Sequence, residues 1–143
     1  MDQAERDELT GIYRDARMIA VVGASADPAK AAHQIPLYLQ QQGYRIRPVN
    51  PRGGELFGEP VATTLSEVAG PVDVVDVFRP AAEAAGIARQ AVAIGAKVLW
   101  LQLGIADDEA RRIAEEAGLT VVMDRCMLAV HRELGLGPLR AAA

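Results

Sequence analysis

Five consecutive apolar residues, Met18 to Val22, run without a break into Gly23-Ala24-Ser25-Ala26-Asp27-Pro28. An apolar run with no polar alternation fits a parallel strand covered on both faces, as in α/β proteins. The small residues that follow let backbone approach a ligand closely, and Ser25 adds a hydroxyl. A helix starting just after them aims its free N–H groups and positive dipole end at the same spot. Phosphate or pyrophosphate suits such a turn. It is not the usual G-x-G-x-x-G fingerprint, because Ala26, Asp27 and Pro28 stand where later glycines belong.

The rest of the chain alternates helical and strand-like segments. Leu9, Ile12, Tyr13 and Ala16 recur at helical spacing, predicting an N-terminal helix over about 2–16 before a strand at about Arg17 to Val22. Ile35, Tyr38 and Leu39 mark a second helix, with Pro36 near its start and Gly43 as its stop. A strand over Tyr44 to Val49 ends at the turn Asn50-Pro51-Arg52-Gly53-Gly54, and Val61-Ala62-Thr63 reads as a short edge strand. Val72 to Phe78 and Val98 to Leu103 are further strands, with a helix over Ala81 to Ile94 between them. Asp107, Asp108 and Glu109 open a fourth helix, Leu119 to Met123 is the last strand, and Met127, Val130 and Leu134 mark a closing helix. The alternation predicts one Rossmann-like α/β domain over 1–143, with its core at about 17–133. Its doubly wound, mainly parallel sheet would have five to six strands with helices on both faces, and ligands would bind at the carboxyl ends of the strands.

Charge and composition remove several function classes. A net charge of −4 lacks the basic field of a general nucleic-acid binder, so any bound anion must be held locally. No apolar run reaches about 18 residues, and the acidic start Asp2-Gln3-Ala4-Glu5-Arg6-Asp7-Glu8 does not suit a transit peptide, so neither membrane nor export is expected and the cytoplasm is. A single cysteine, Cys126, rules out an internal disulfide and a cysteine-rich zinc site.

The strand ends carry the functional signal. After the five strongest strands stand Gly23-Ala24-Ser25, Asn50-Pro51-Arg52, Phe78-Arg79-Pro80, Gln102-Leu103-Gly104 and Asp124-Arg125-Cys126. A site for NAD would place an acid after the second strand to hold the ribose hydroxyls, whereas this chain has Asn50 and Arg52 there. A phosphorylated ribose fits better, and both 3′-phospho-ADP of coenzyme A and the 2′-phosphate of NADP meet that description.

Val22-Gly23-Ala24-Ser25 with Pro28-Ala29-Lys30, Gly43-Tyr44 with Pro48-Val49-Asn50-Pro51, and Val72 to Pro80 together resemble the stand-alone CoA-binding domain family. Trp100-Leu101-Gln102-Leu103-Gly104-Ile105 and Met123-Asp124-Arg125-Cys126 continue the match, which spans about Arg17 to Glu133. This family is similar to the CoA-binding domain of the succinyl-CoA synthetase α subunit. The resemblance implies coenzyme A lying across the strand ends. Gly23, Ala24, Ser25 and Ala26 would lie near phosphate and Lys30 would be a cationic clamp. Asn50, Pro51 and Arg52 would meet the adenosine side, Phe78, Arg79 and Pro80 would form the far wall, and Gln102 and Gly104 would lie at the next strand end. Ala32 stands where the family pattern has a serine, so the hydroxyl that the resemblance implies there is absent.

Residues with other chemical potential are poorly placed for it. His33 and His131 have no catalytic or metal partners at a useful spacing and read as surface or helix-face residues. Cys126, beside Arg125 at a predicted helix start, reads as structural, the functional variant being a mixed disulfide with the thiol of bound coenzyme A. Asp73 and Asp76 are three apart, and so face opposite sides of a strand. The chain is thus expected to bind CoA or an acyl-CoA as a carrier, sensor or enzyme partner without catalysis of its own, alone or as a homo-oligomer. The alternatives are an NADP-dependent oxidoreductase, for which no tyrosine has a lysine at Tyr-x-x-x-Lys spacing, and an interaction module with a vestigial nucleotide cleft.

Overall fold

The computed structural model describes residues 1–139. Five strands, β1 (Met18–Val22), β2 (Arg45–Val49), β5 (Val74–Val77), β6 (Val98–Leu101) and β7 (Thr120–Val122), form one parallel sheet in the order β2-β1-β5-β6-β7. Met18 pairs with Arg45 on one side of β1 and Ile19 with Val74 on the other. The unbroken apolar runs are explained by the layers. Ile19, Val21, Val74 and Trp100 face the core shared with α1 (Gln3–Asp15), α2 (Ala31–Gln41) and α5 (Met127–Leu134). Ala20, Val75, Val77, Leu99 and Leu101 face α3 (Ala81–Ala93) and α4 (Asp108–Glu116). The fold is therefore the expected Rossmann-like α/β arrangement, with helices on both faces of a parallel sheet.

Local chemistry sets the element ends. Asp107 caps α4 by accepting from the Ala110 N–H at 2.9 Å, while Asp108 and Glu109 load its positive end. Two expectations need correction. Pro36 lies in the second turn of α2, not near its start, since the helix already begins at Ala31. Val61 to Thr63 is no strand: only Ala62 bridges, in parallel, to Val49. Just before it the chain forms an antiparallel hairpin, β3 (Glu55–Leu56) with β4 (Glu59–Pro60), in a stretch that no sequence pattern had marked. Its turn uses Phe57 at φ 56° and Gly58 at φ 74°. Two successive left-handed residues match the twist of a two-residue hairpin, but a phenylalanine there gives no local signal.

Candidate functional site

From β1 the chain passes through α2 to β2 on one side, whereas β5 pairs with the other side of β1. The connections leaving β1 and β5 therefore diverge, opening a crevice at their carboxyl ends. Gly23 sits at its floor with φ 91°, and its N–H donates to Val49 O at 2.9 Å. A Cβ on Gly23 would lie 2.9 Å from both Phe78 O and Arg79 Cδ. The absent side chain thus first serves contact between β1 and the segment after β5. A valine there would push into protein backbone, not only into ligand space, so loss of binding in that variant would not isolate a ligand contact.

The loop from Gly23 to Lys30 is held by its own acceptors. Asn50 Nδ2 donates to Ala24 O at 3.1 Å, and His33 Nδ1 lies 2.7 Å from Ser25 O. The Ser25 N–H donates to Ala32 O at 3.1 Å, and Ser25 Oγ accepts from the Asp27 N–H at 3.1 Å. Asp27 Oδ1 accepts from the Ala29 N–H at 2.9 Å, and the Asp27 carbonyl accepts from the Lys30 N–H at 3.0 Å. The N–H groups of Ala24 and Ala26 have no partner among the described residues, and neither do those of Ala31 and Ala32 in the first turn of α2. The loop carbonyls of Ala24, Ser25, Asp27 and Pro28 are all engaged while these donors stay free, a polarity that suits an anion. The Ser25 hydroxyl, already accepting from Asp27, retains its proton for a ligand.

Around this loop lies a cleft of about 420 Å³, which brings Gly23, Ala24, Ser25, Ala26, Lys30, Asn50, Pro51, Arg52 and Arg79 together. Gly53, Gly54, Glu55 and Leu56, from the turn and hairpin after β2, complete its wall. A smaller compartment of about 170 Å³ shares Gly23, Asn50, Pro51 and Arg79 with it and adds Thr63, Thr64, Glu83 and Gln90. Lys30 and Arg52 have no carboxylate partner among the described residues, but Arg79 is held by Glu83, with Nη2 to Oε2 at 2.8 Å and Nε to Oε1 at 3.2 Å. Glu55 matters for a different reason. Sequence offered no acid after the second strand, yet the hairpin brings this one into the cleft, five residues beyond Asn50. Asn50 itself is a staple, its Oδ1 accepting from the Arg52 N–H at 2.8 Å while its amide holds Ala24 O.

The remaining predicted site residues lie outside these two compartments. Phe78 is half-buried and Pro80 exposed at the start of α3, while the Gly104 N–H donates to Asp124 Oδ1 at 2.6 Å. Gln102 is buried with both ends engaged inside the protein. Its amide donates to Asp76 Oδ1 at 2.5 Å, and its Oε1 accepts from the Met127 N–H at 3.3 Å. Asp76 is wholly buried, its Oδ2 lacks a hydrogen-bond partner, and burial pushes its carboxyl up to about 7 against the opposing effect of Gln102. His131 is not a surface histidine: it is buried in α5 between Tyr38 Oη at 2.6 Å and Gly137 O at 3.1 Å, and burial lowers its pKa. His33 is half-buried, packed on Phe57 and turned onto the loop carbonyl of Ser25. Cys126 caps α5, its Sγ accepting from the Ala129 N–H at 3.5 Å, while Arg125 is engaged by Glu5.

A second cavity of about 310 Å³, at the amino-terminal ends of the strands, is lined by Asp7, Glu8, Asp15 and Asp73 against one cation, Lys97. That charge repels a phosphate. The crevice at the carboxyl ends instead gathers free N–H donors with Lys30 and Arg52.

Comparison with known proteins gives the family of this fold. The chain is 36% identical over 131 residues to the uncharacterized protein YneT of Bacillus subtilis, covering 92% of this chain and 97% of that one. Over 65 residues it is 37% identical to the acetate–CoA ligase (ADP-forming) II subunit alpha of Pyrococcus furiosus, covering 45% of this chain and only 14% of that subunit. A solved Thermus thermophilus structure superposes with a TM-score of 0.87 at 42% identity, covering 94% of this chain and 99% of its own. A family model described as a CoA binding domain matches residues 17–132, which takes in every strand of the parallel sheet and the whole crevice between β1 and β5. With most of its length matched in this way, the chain belongs to the CoA binding domain family.

Proposed function

We propose that this chain binds coenzyme A or an acyl-CoA across the carboxyl ends of β1, β2 and β5, as one cytoplasmic binding unit that serves as a carrier, a sensor or the partner of an acyl-CoA enzyme. The observation that carries this reading is the polarity of the cleft. In a chain of net charge −4, free N–H groups, the Ser25 hydroxyl, Lys30 and Arg52 converge on one crevice, as a ligand with several phosphate charges requires. The likeness of part of the chain to an α subunit of a CoA ligase supports an enzyme partner.

Glu55 favours a second ligand class, because an acid in the cleft can hold the hydroxyls of an unphosphorylated ribose. Isothermal titration with coenzyme A, dephospho-coenzyme A, NADP and NAD separates the two. The expected order has coenzyme A tightest and dephospho-coenzyme A at least tenfold weaker. Binding of NAD as tight as that of coenzyme A would overturn the reading.

A further inference from the structure

Pro36 stands in the sixth position of an unbroken eleven-residue helix, buried against the core. A proline in a helix interior has no N–H for the carbonyl four residues earlier, and its ring crowds that carbonyl away from the axis. Here that carbonyl belongs to Ala32, and its donor is not helical at all: the Ser25 N–H reaches it at 3.1 Å from the loop after β1. The vacancy made by the proline is therefore where the ligand-facing loop is fastened to α2.

The consequences run along the loop. With its N–H turned onto Ala32, Ser25 has its carbonyl against His33 Nδ1 at 2.7 Å and its Oγ under the Asp27 N–H at 3.1 Å. Ala24 and Ala26, on either side, keep their N–H groups free beside the cleft. We propose that Pro36 is a positioning residue for the anion-facing loop: by withholding a helical donor from Ala32 O it gives that carbonyl to Ser25, which fixes the loop with the Ala24 and Ala26 N–H groups unpartnered. The functional half of this inference rests on coenzyme A being the ligand of the cleft. The loop-locking half does not.

The decisive variant is Pro36→Ala. Alanine restores a helical N–H that competes with Ser25 for Ala32 O, in a residue type that helices favour far more than proline. Three readouts follow: the hydrogen-exchange rate of the Ser25 amide by NMR in ligand-free protein, the melting temperature, and coenzyme A affinity by titration. Ser25 exchange should accelerate at least tenfold and affinity should fall at least tenfold, while the melting temperature is unchanged or higher. A purely structural role would move stability and affinity down together. Backbone-ester replacement at position 36, which removes the N–H without adding a ring, should keep Ser25 protected and affinity near wild type, and it isolates the missing donor from ring sterics. Unchanged Ser25 protection in Pro36→Ala would show that Ala32 O serves both donors and would overturn the proposal. Released Ser25 with unchanged affinity would overturn it equally. Should the wild-type protein not bind coenzyme A, the ligand reading falls by itself, and Ser25 exchange still decides whether Pro36 sets the loop.

Discussion

Lys30, Arg52 and Arg79 all line the cleft, but only Arg79 already has a carboxylate, that of Glu83 one helical turn on. An anion arriving at Arg79 must share or displace that partner, whereas Lys30 and Arg52 exchange only water. Lys30→Ala and Arg52→Ala should therefore each weaken coenzyme A binding by about 1.5–3 kcal/mol, the range for hydrogen bonds to charged groups. Arg79→Ala should cost less than either, and Arg111→Ala, which removes a partner of Glu115 on α4, should leave affinity unchanged. Titration at fixed low salt checks the ranking, since screening weakens exposed contacts. A larger loss at Arg79 than at Lys30 would place the anion over the α3 side of the crevice. Sequence named all three cations because each follows a strand end, but the carboxylates among them were hidden. Glu83 is reached only once α3 exists, and Glu55 only once the hairpin folds back over β2. The partner of His33 was hidden for a similar reason: the carbonyl of Ser25 comes within 2.7 Å only through the curl of the loop into α2.

Asp76 in β5 and Gln102, the residue just after β6, form a buried polar pair, and that pair makes stability depend on pH. In the unfolded chain the Asp76 carboxyl titrates near 3.8, and in the fold near 7. Between those values the folded state keeps a proton that the unfolded state has released. Its contribution to stability is therefore complete below about pH 3.8 and is lost as pH rises towards about 7. Asp76→Asn cannot ionise and keeps an acceptor for Gln102. It should match the wild type near pH 4 and become the more stable protein at higher pH, by a difference of the order of 4 kcal/mol at most. His131 has the opposite sign: its pKa is lowered, so its contribution is present above the ordinary histidine value and fades as pH falls. Subtracting the two stability curves cancels His131 and leaves Asp76 alone. Urea unfolding at about pH 4, 6 and 8 gives the difference, and a difference constant with pH would show that Asp76 stays ionised in the fold. The strands themselves were plain from their apolar runs. The 55–60 hairpin was not, because nothing local announces a phenylalanine with φ 56° at a turn.

For the whole molecule, ligand binding and folding are one linked equilibrium. Coenzyme A at a hundred times its dissociation constant should stabilise the fold by about 2.7 kcal/mol, which at roughly 3 °C per kcal/mol for a chain of this size raises the melting temperature by about 8 °C. NAD at the same concentration should move it by far less, and equal shifts would favour the dinucleotide reading. Among the described residues no helix is long and apolar enough to cross a membrane. What the sequence alone determined was the order and type of the main elements and the small-residue turn after β1. Apolar runs, caps and glycine stops are local signals, and an α/β alternation leaves few topologies open. What only the tertiary structure decided was which neighbours each polar group meets. Pairing β5 beside β1 sets Phe78 O against Gly23, the layering buries Asp76 and His131, and the second turn of α2 turns a proline's missing N–H into the anchor of the loop. These contacts join residues distant in the chain or separated by a turn of helix, so no local pattern encodes them, and packing alone chooses the partner.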